Sequence, residues 1–242
     1  MSGAKSYYFR ESVDTLLRAR WVAPYLLIPP MLAFMVYAEG YLTKTGFMGS
    51  FSHQQRTVLA LWNATLLLTL AAGIKSCLFF SKLWGSRWFR NSLALPVSRA
   101  SGYWGPVVAM MAVSLAMYAL ATGAVIAALP GAPRFPWLEV LSSSCMPVAW
   151  AVCFGAVLGI LTSGAAGSVL FSSVLLLGIL AGLPSEPPLQ GLLAWVVPPI
   201  GRTMVMSLRA PHNMRAAMML LTHSAFALAV GRLLYGYGIS RR

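Results

Sequence analysis

Acidic side chains are scarce. Asp14 is the single aspartate, and Glu11, Glu39, Glu139 and Glu186 are the only glutamates, against 18 lysines and arginines. Chemistry that gathers carboxylates around divalent cations, as in prenyl or phosphoalcohol transfer, has no ligand set to draw on. Cysteine is also rare: Cys77, Cys145 and Cys153 lie in apolar runs with no CxxC and no metal-ligand spacing. They read as small core hydrophobes. The histidines His53, His212 and His223 are isolated, whereas a zinc protease needs H-E-x-x-H on a helix. Ser163 or Ser168 with His223 is an imaginable nucleophile and base, but no motif surrounds the pair. A phosphate-cradling GxxxxGK[ST] loop is missing, so the chain is not expected to be an enzyme or to hydrolyse ATP by itself. No cofactor and no metal is expected on it.

Charged residues make up 10% of the chain and apolar ones 58%, whereas soluble chains run near a quarter charged. This composition excludes a soluble enzyme, a disordered chain and a secreted disulfide scaffold. A membrane span needs roughly 20 apolar residues, so six spans would absorb about 120 of the roughly 140 available in 242 residues. The net charge of +13 would raise nucleic acid as a partner for a soluble protein. In an apolar chain it points to membrane lipids and cytoplasmic loops instead, and no nucleic-acid partner is expected.

The expected fold is an all-α polytopic membrane protein, a single transmembrane domain over residues 1–242. Residues 1–20 are not expected to be a cleavable signal, because the apolar run starts only at Trp21 and follows Glu11 and Asp14. Tyr8, Phe9, Val13, Leu16, Leu17 and Trp21 recur at helical spacing with Arg10, Glu11, Asp14 and Arg18 on the other face, which predicts an N-terminal interfacial helix. Six transmembrane helices follow: Trp21 to Ala38, interrupted by Pro29-Pro30; Thr57 to Phe80; Tyr103 to Leu129; Trp137 to Thr162; Ser168 to Leu183; and Met214 to Tyr235. Gly164 to Gly167 read as a very short connection. Leu192 to Val197 is too short to cross a bilayer, so 189–213 is expected to be an outer re-entrant segment before the last span.

Lys and Arg in short loops set orientation. With both termini cytoplasmic, twelve of these residues fall inside and six outside. The outer six include Arg202, Arg209 and Arg215, which keep a seven-span alternative open.

Ionisable and polar groups within spans are the candidates for a pathway or gate. They are Asn63, Glu139, Ser143 and His223, while Lys75 and Arg232 sit near span ends where snorkelling accounts for them. The spacings Gly155–Gly159 and Gly178–Gly182 allow close helix approach, read as packing of the fourth span on the fifth in preference to a dimer seam.

The segment 81–102 is the most informative. It carries Lys82, Arg87, Arg90 and Arg99 with no acidic residue, and Trp84, Trp88 and Phe89 alternate with the arginines as in an interfacial helix. Leu93, Leu95, Pro96 and Val97 then offer an apolar knob on the cytoplasmic side.

The run Leu93-Ala94-Leu95-Pro96-Val97-Ser98-Arg99 resembles the LLSLPVSR element of ABC-2 type transporter permeases, the membrane subunits of one class of ABC exporters. The order of an interfacial helix, six spans and a proline-rich outer segment is similar too. Members of that family commonly carry a glutamate and a glycine shortly before the element, where this chain has Arg87-Trp88-Phe89-Arg90-Asn91. The resemblance implies a coupling segment that docks on a separate ABC ATP-binding subunit, with Leu95, Pro96 and Val97 in its groove and Arg87, Arg90, Ser98 and Arg99 making polar contacts. It implies two permease chains, as a homo- or heterodimer, with ATP and magnesium on the partner subunit. The expectation is therefore the permease subunit of an ATP-driven exporter in the bacterial inner membrane, with an amphipathic or lipid-like cargo. The alternatives are an ATP-independent small transporter or channel, a membrane assembly or immunity factor, and an intramembrane enzyme.

Overall fold

The computed structural model describes residues 2–18, 22–23, 53–85, 99–128, 137–180 and 213–240. These form α1 (Ser2–Leu16), α2 (His53–Gly85), α3 (Arg99–Ala128), α4 (Trp137–Leu161), α5 (Gly164–Leu180) and α6 (Asn213–Ser240), with no strand among them. Three helices hold stretches long and apolar enough to cross a membrane: Trp62–Trp84, Ser101–Ala124 and Ala217–Gly236. Shorter apolar runs, Cys145–Leu161 and Gly164–Ile179, occupy α4 and α5. The architecture is that of an all-helical membrane protein. The expected first span and the 189–213 segment lie outside the described residues.

α2, α3 and α6 are longer than hydropathy alone draws them. α2 runs on to Gly85 and α3 begins at Arg99, so the ends of the 81–102 segment are helix and only 86–98 joins them. Gly164–Gly167, expected as a connection, is instead the first turn of α5. Ser163 supplies the cap, its Oγ accepting from the Ala166 amide at 3.3 Å, so the glycine-rich run starts a helix where sequence punctuation signalled a loop. Thr162 and Ser163 alone link α4 to α5.

α2, α4 and α5 form a tightly interlocked slab. A β-carbon on Gly155 would stand 2.6 Å from the Gly73 carbonyl oxygen and 2.9 Å from Ser76 Cβ, and one on Gly159 would stand 2.5 Å from the Cys77 carbonyl. The four-residue step of α4 thus lies on the four-residue step of α2, and the two helices run parallel. The Gly155–Gly159 pair packs within the chain, but against the second span and not the fifth. The reason is that α2 presents its own small face there, with Gly73, Ser76 and Cys77 in line. α5 runs antiparallel to α2: Gly164 faces Leu78 and Ser81, while the Phe171 ring covers Gly73. Trp150 stacks on Phe154 at 5.2 Å and tilts against Phe171 at 5.8 Å, filling the slab with aromatic area.

Hydroxyls inside these apolar helices bond back to the preceding turn. Thr69 donates to Thr65 O at 2.6 Å and Thr122 to Tyr118 O at 2.7 Å, which removes the cost of an unpaired donor in an apolar medium. Other hydroxyls cross between helices: Ser76 Oγ donates to Val152 O at 2.8 Å and Tyr103 Oη to Leu228 O at 3.1 Å.

Candidate functional site

The end of the bundle where α2 finishes and α3 starts, called basal here, is organised around three aromatic rings. Trp84 in the last turn of α2 lies 5.5 Å from Tyr235 near the end of α6. Tyr103 in the second turn of α3 lies 5.6 Å from the same tyrosine. Tyr103 and Tyr235 are both buried. Glycine opens the space for each: Gly102 lies under the Tyr235 hydroxyl and Gly231 under that of Tyr103, so close that neither position has room for a β-carbon. With its hydroxyl on the Leu228 carbonyl, Tyr103 ties the backbone of α6 to the start of α3.

α1 braces this joint. Tyr8, Ser12 and Leu16, one stripe at four-residue spacing, are buried. A β-carbon on Gly105 of α3 would stand 2.8 Å from Tyr8 Cβ and 3.3 Å from the Phe9 amide nitrogen. Phe9 and Leu17, on the apolar face that sequence spacing predicts, are exposed. The helix in fact carries three stripes. Tyr8, Ser12 and Leu16 face protein, Phe9, Val13 and Leu17 form an adjoining apolar edge, and Arg10, Asp14 and Arg18 are exposed. A helix so divided suits a membrane interface, where it meets protein, acyl chains and water at once.

The joint brackets 86–98. Arg87, Arg90, Leu95, Pro96, Val97 and Ser98 all lie outside the described residues, and Arg99 is described only as the first residue of α3. The pathway candidates fall on three different helices. Asn63 is half-buried on α2, Glu139 and Ser143 belong to α4, and His223 is half-buried on α6. Carried outward, the Gly73–Gly155 register puts Asn63 and Ser143 at about the same height in the half of the bundle away from the joint. Beside Asn63, the buried indole N–H of Trp62 has no acceptor among the described residues. His223 Nδ1 lies 2.8 Å from Met219 O, and since a carbonyl only accepts, that nitrogen carries a proton.

Lys75, ten residues before the end of α2 at Gly85, is buried among the helices, with 8% of its surface exposed.

An open groove of about 440 Å³ lies along α2 and α5, lined by Ile74, Ser168, Val169, Ser172, Ser173 and Leu176. Its serines donate within α5, to the carbonyls of Gly164, Ser168 and Val169 at 2.6, 2.9 and 3.0 Å. Its walls therefore behave as apolar surface. Among the described residues, no group of three His, Cys, Asp or Glu is placed to hold a metal ion.

Tyr103 and Tyr235 were not singled out in the sequence, and Trp84 was read only as part of an interfacial helix. Their signal was present as large aromatics at both ends of the basic segment and on the last span, with Gly102 and Gly231 as partners. No protein-family model and no curated protein matches the chain.

Proposed function

We propose that the chain is the permease subunit of an ATP-driven ABC exporter, which forms the translocation pathway and couples to a separate ATP-binding subunit through 86–98. The observation that carries the reading is the shared seat of Trp84 and Tyr103 on Tyr235. A loop that must pass a partner's motion to a membrane domain needs both its ends fixed to that domain. Here both are fixed to the same ring. The Leu95-Pro96-Val97 knob would dock on the ATPase, flanked by Arg87, Arg90, Ser98 and Arg99. ATP and magnesium would reside on that subunit, with differential contacts in its nucleotide states biasing the permease.

Helix directions support six spans. α1 docks at the basal end, whereas α2 begins at the opposite end, as an intervening first span requires. α5 runs away from the basal end and α6 runs back to it, so α5 ends and α6 begins on the same side. That fits a re-entrant outer segment and disfavours a seventh span. The apolar knob and arginines then lie on the cytoplasmic face of a bacterial inner membrane, with both termini on that side. A second permease chain completes the transporter.

A second reading, a gradient-driven transporter or channel, draws on one observation: the enclosed Lys75, since intramembrane charges mark transport pathways.

The test is purification of the tagged chain from its native host in mild detergent, reading intact-complex mass and ATPase activity on one sample. A complex of two permeases with two nucleotide-hydrolysing subunits, lost in Pro96→Asp, is the expected result. A lone or self-paired chain without ATPase activity would transfer the assignment to the gradient-driven reading.

A further inference from the structure

The three stripes of α1 follow one another around the helix. Tyr8, Ser12 and Leu16 are buried, Phe9, Val13 and Leu17 come one residue on, and Arg10, Asp14 and Arg18 one residue further, each step a rotation of about 100°. The turn carries on past Leu16, because the Leu17 amide donates to Val13 O at 2.8 Å and the Arg18 amide to Thr15 O at 3.4 Å. The charged stripe therefore borders the apolar edge on the side turned away from α3. Its arginines are exposed, and neither pairs with Asp14 or with any other of the described residues. Phe9 and Leu17 are exposed beside them.

The depth of the helix matches a headgroup boundary. Gly105, against which Tyr8 packs, lies four residues inside the start of the span Ser101–Ala124, about 6 Å along the helix. Interfacial helices seat their apolar face roughly 5–10 Å into that boundary.

The surrounding charge has one sign. Among the described residues, the basal end holds Lys5, Arg10, Arg18, Lys82, Arg99 and Arg232 against Glu11 and Asp14. The opposite end holds Arg56 and Arg215 against Glu139. A zwitterionic headgroup brings its own cation to an end already short of anions, whereas an acidic headgroup is complementary to it. Positive loop charge orients a membrane protein whatever its lipid. An apolar edge running alongside two unpaired arginines adds what a lipid also needs, a place for its chain.

We propose that α1 is a binding site for acidic phospholipid. Arg10 and Arg18 stand about 12 Å apart along the helix, so each guanidinium holds the phosphate of its own headgroup. Phe9, Val13 and Leu17 take the upper parts of the chains. Lipid held on these two stripes keeps the third, Tyr8–Ser12–Leu16, seated on α3. The site rests on the membrane architecture and not on the exporter reading.

The test is mass spectrometry of the intact purified chain in mild detergent, titrated with phosphatidylglycerol or phosphatidylcholine. The parent is expected to bind phosphatidylglycerol more tightly, and Arg10→Gln/Arg18→Gln to lose roughly fivefold of that affinity while its phosphatidylcholine binding holds. Arg56→Gln/Arg215→Gln removes the same charge from the opposite end and should bind as the parent does. Equal affinity of the parent for the two lipids would overturn the site. So would an unchanged affinity in the α1 variant, or an equal loss in the opposite-end variant. Soluble glycerol phosphate should leave the bound phosphatidylglycerol in place; its displacement would reassign the arginines to free phosphate and overturn the lipid site. Should the double variant fail to fold, each single variant serves, and parental affinity in both would overturn the proposal.

Amide exchange in nanodiscs reads the consequence for α1. In phosphatidylglycerol, residues 8–16 should exchange roughly tenfold faster in Arg10→Gln/Arg18→Gln than in the parent, and at equal rates in phosphatidylcholine. Equal rates in both lipids would overturn the seating of α1 by lipid. No partner subunit enters either measurement, so failure of the exporter reading and failure of the lipid site are separate results.

Discussion

Gly155 of α4 rests on the backbone of Gly73 in α2, with 2.6 Å between the Gly73 carbonyl oxygen and the place where a β-carbon would stand. The contact is backbone against backbone, so no side-chain rotation relieves a substitution there. Gly155→Ala is therefore expected to force α4 off α2 and to cost about 1–3 kcal/mol, the usual range for overpacking. Gly123, whose β-carbon would meet nothing within 4 Å, is the control. Thermal unfolding in detergent should fall clearly for Gly155→Ala and hold for Gly123→Ala; equal stability of both would deny the interlock.

Tyr103→Phe removes a single cross-helix hydrogen bond and leaves the ring stack in place. The expected loss is about 1 kcal/mol, small enough to keep the fold. Gly231→Ala attacks the same contact from the other side by pushing the tyrosine away, and should cost more. Because the two changes act on one contact, their effects should not add. Additive losses in the double variant would show that Tyr103 and Gly231 act separately.

Thiol reactivity should follow burial. Cys77 and Cys153 are buried and Cys145 is half-buried, so a maleimide is expected to modify Cys145 first and the other two only on unfolding. Mass spectrometry of the partly labelled chain reads the order directly. Rapid modification of Cys77 under native conditions would contradict its place against α4.

Lys75→Met separates the two transport readings. Methionine keeps the apolar stem of the lysine, so the variant is expected to stay folded, with an unfolding temperature within a few degrees of the parent's. Export energised by a partner ATPase should continue. Retained fold with abolished transport would make Lys75 part of the transport chemistry and favour the gradient-driven reading.

For α2 to α6, helix existence was legible in the sequence because apolar runs of bilayer length leave few other solutions. Boundaries were less so. Hydropathy marks where the oily part of a helix ends, and α2 carries on through Ser81, Lys82 and Trp84 as ordinary helix formers. The Gly164–Gly167 turn was misread because glycine signals loops on average, while the capping Ser163 decides the local outcome. Gly155–Gly159 was recognised as a packing motif, but its partner depends on which helix offers small residues at matching height. That is a property of the assembled bundle. The aromatic joint was hidden for the same reason: Trp84, Tyr103 and Tyr235 are distant in sequence, and nothing local announces that three helix ends converge.

The two-residue link at Thr162–Ser163 bears on how the chain is made. Two extended residues span at most about 7 Å, so α4 and α5 can never be far apart. As they emerge during synthesis they must enter the bilayer as one antiparallel hairpin, and neither can be inverted without the other. An orientation error there would move both helices together, carrying away the whole surface on which α2 is seated. This two-residue connection is thus also a safeguard of the topology.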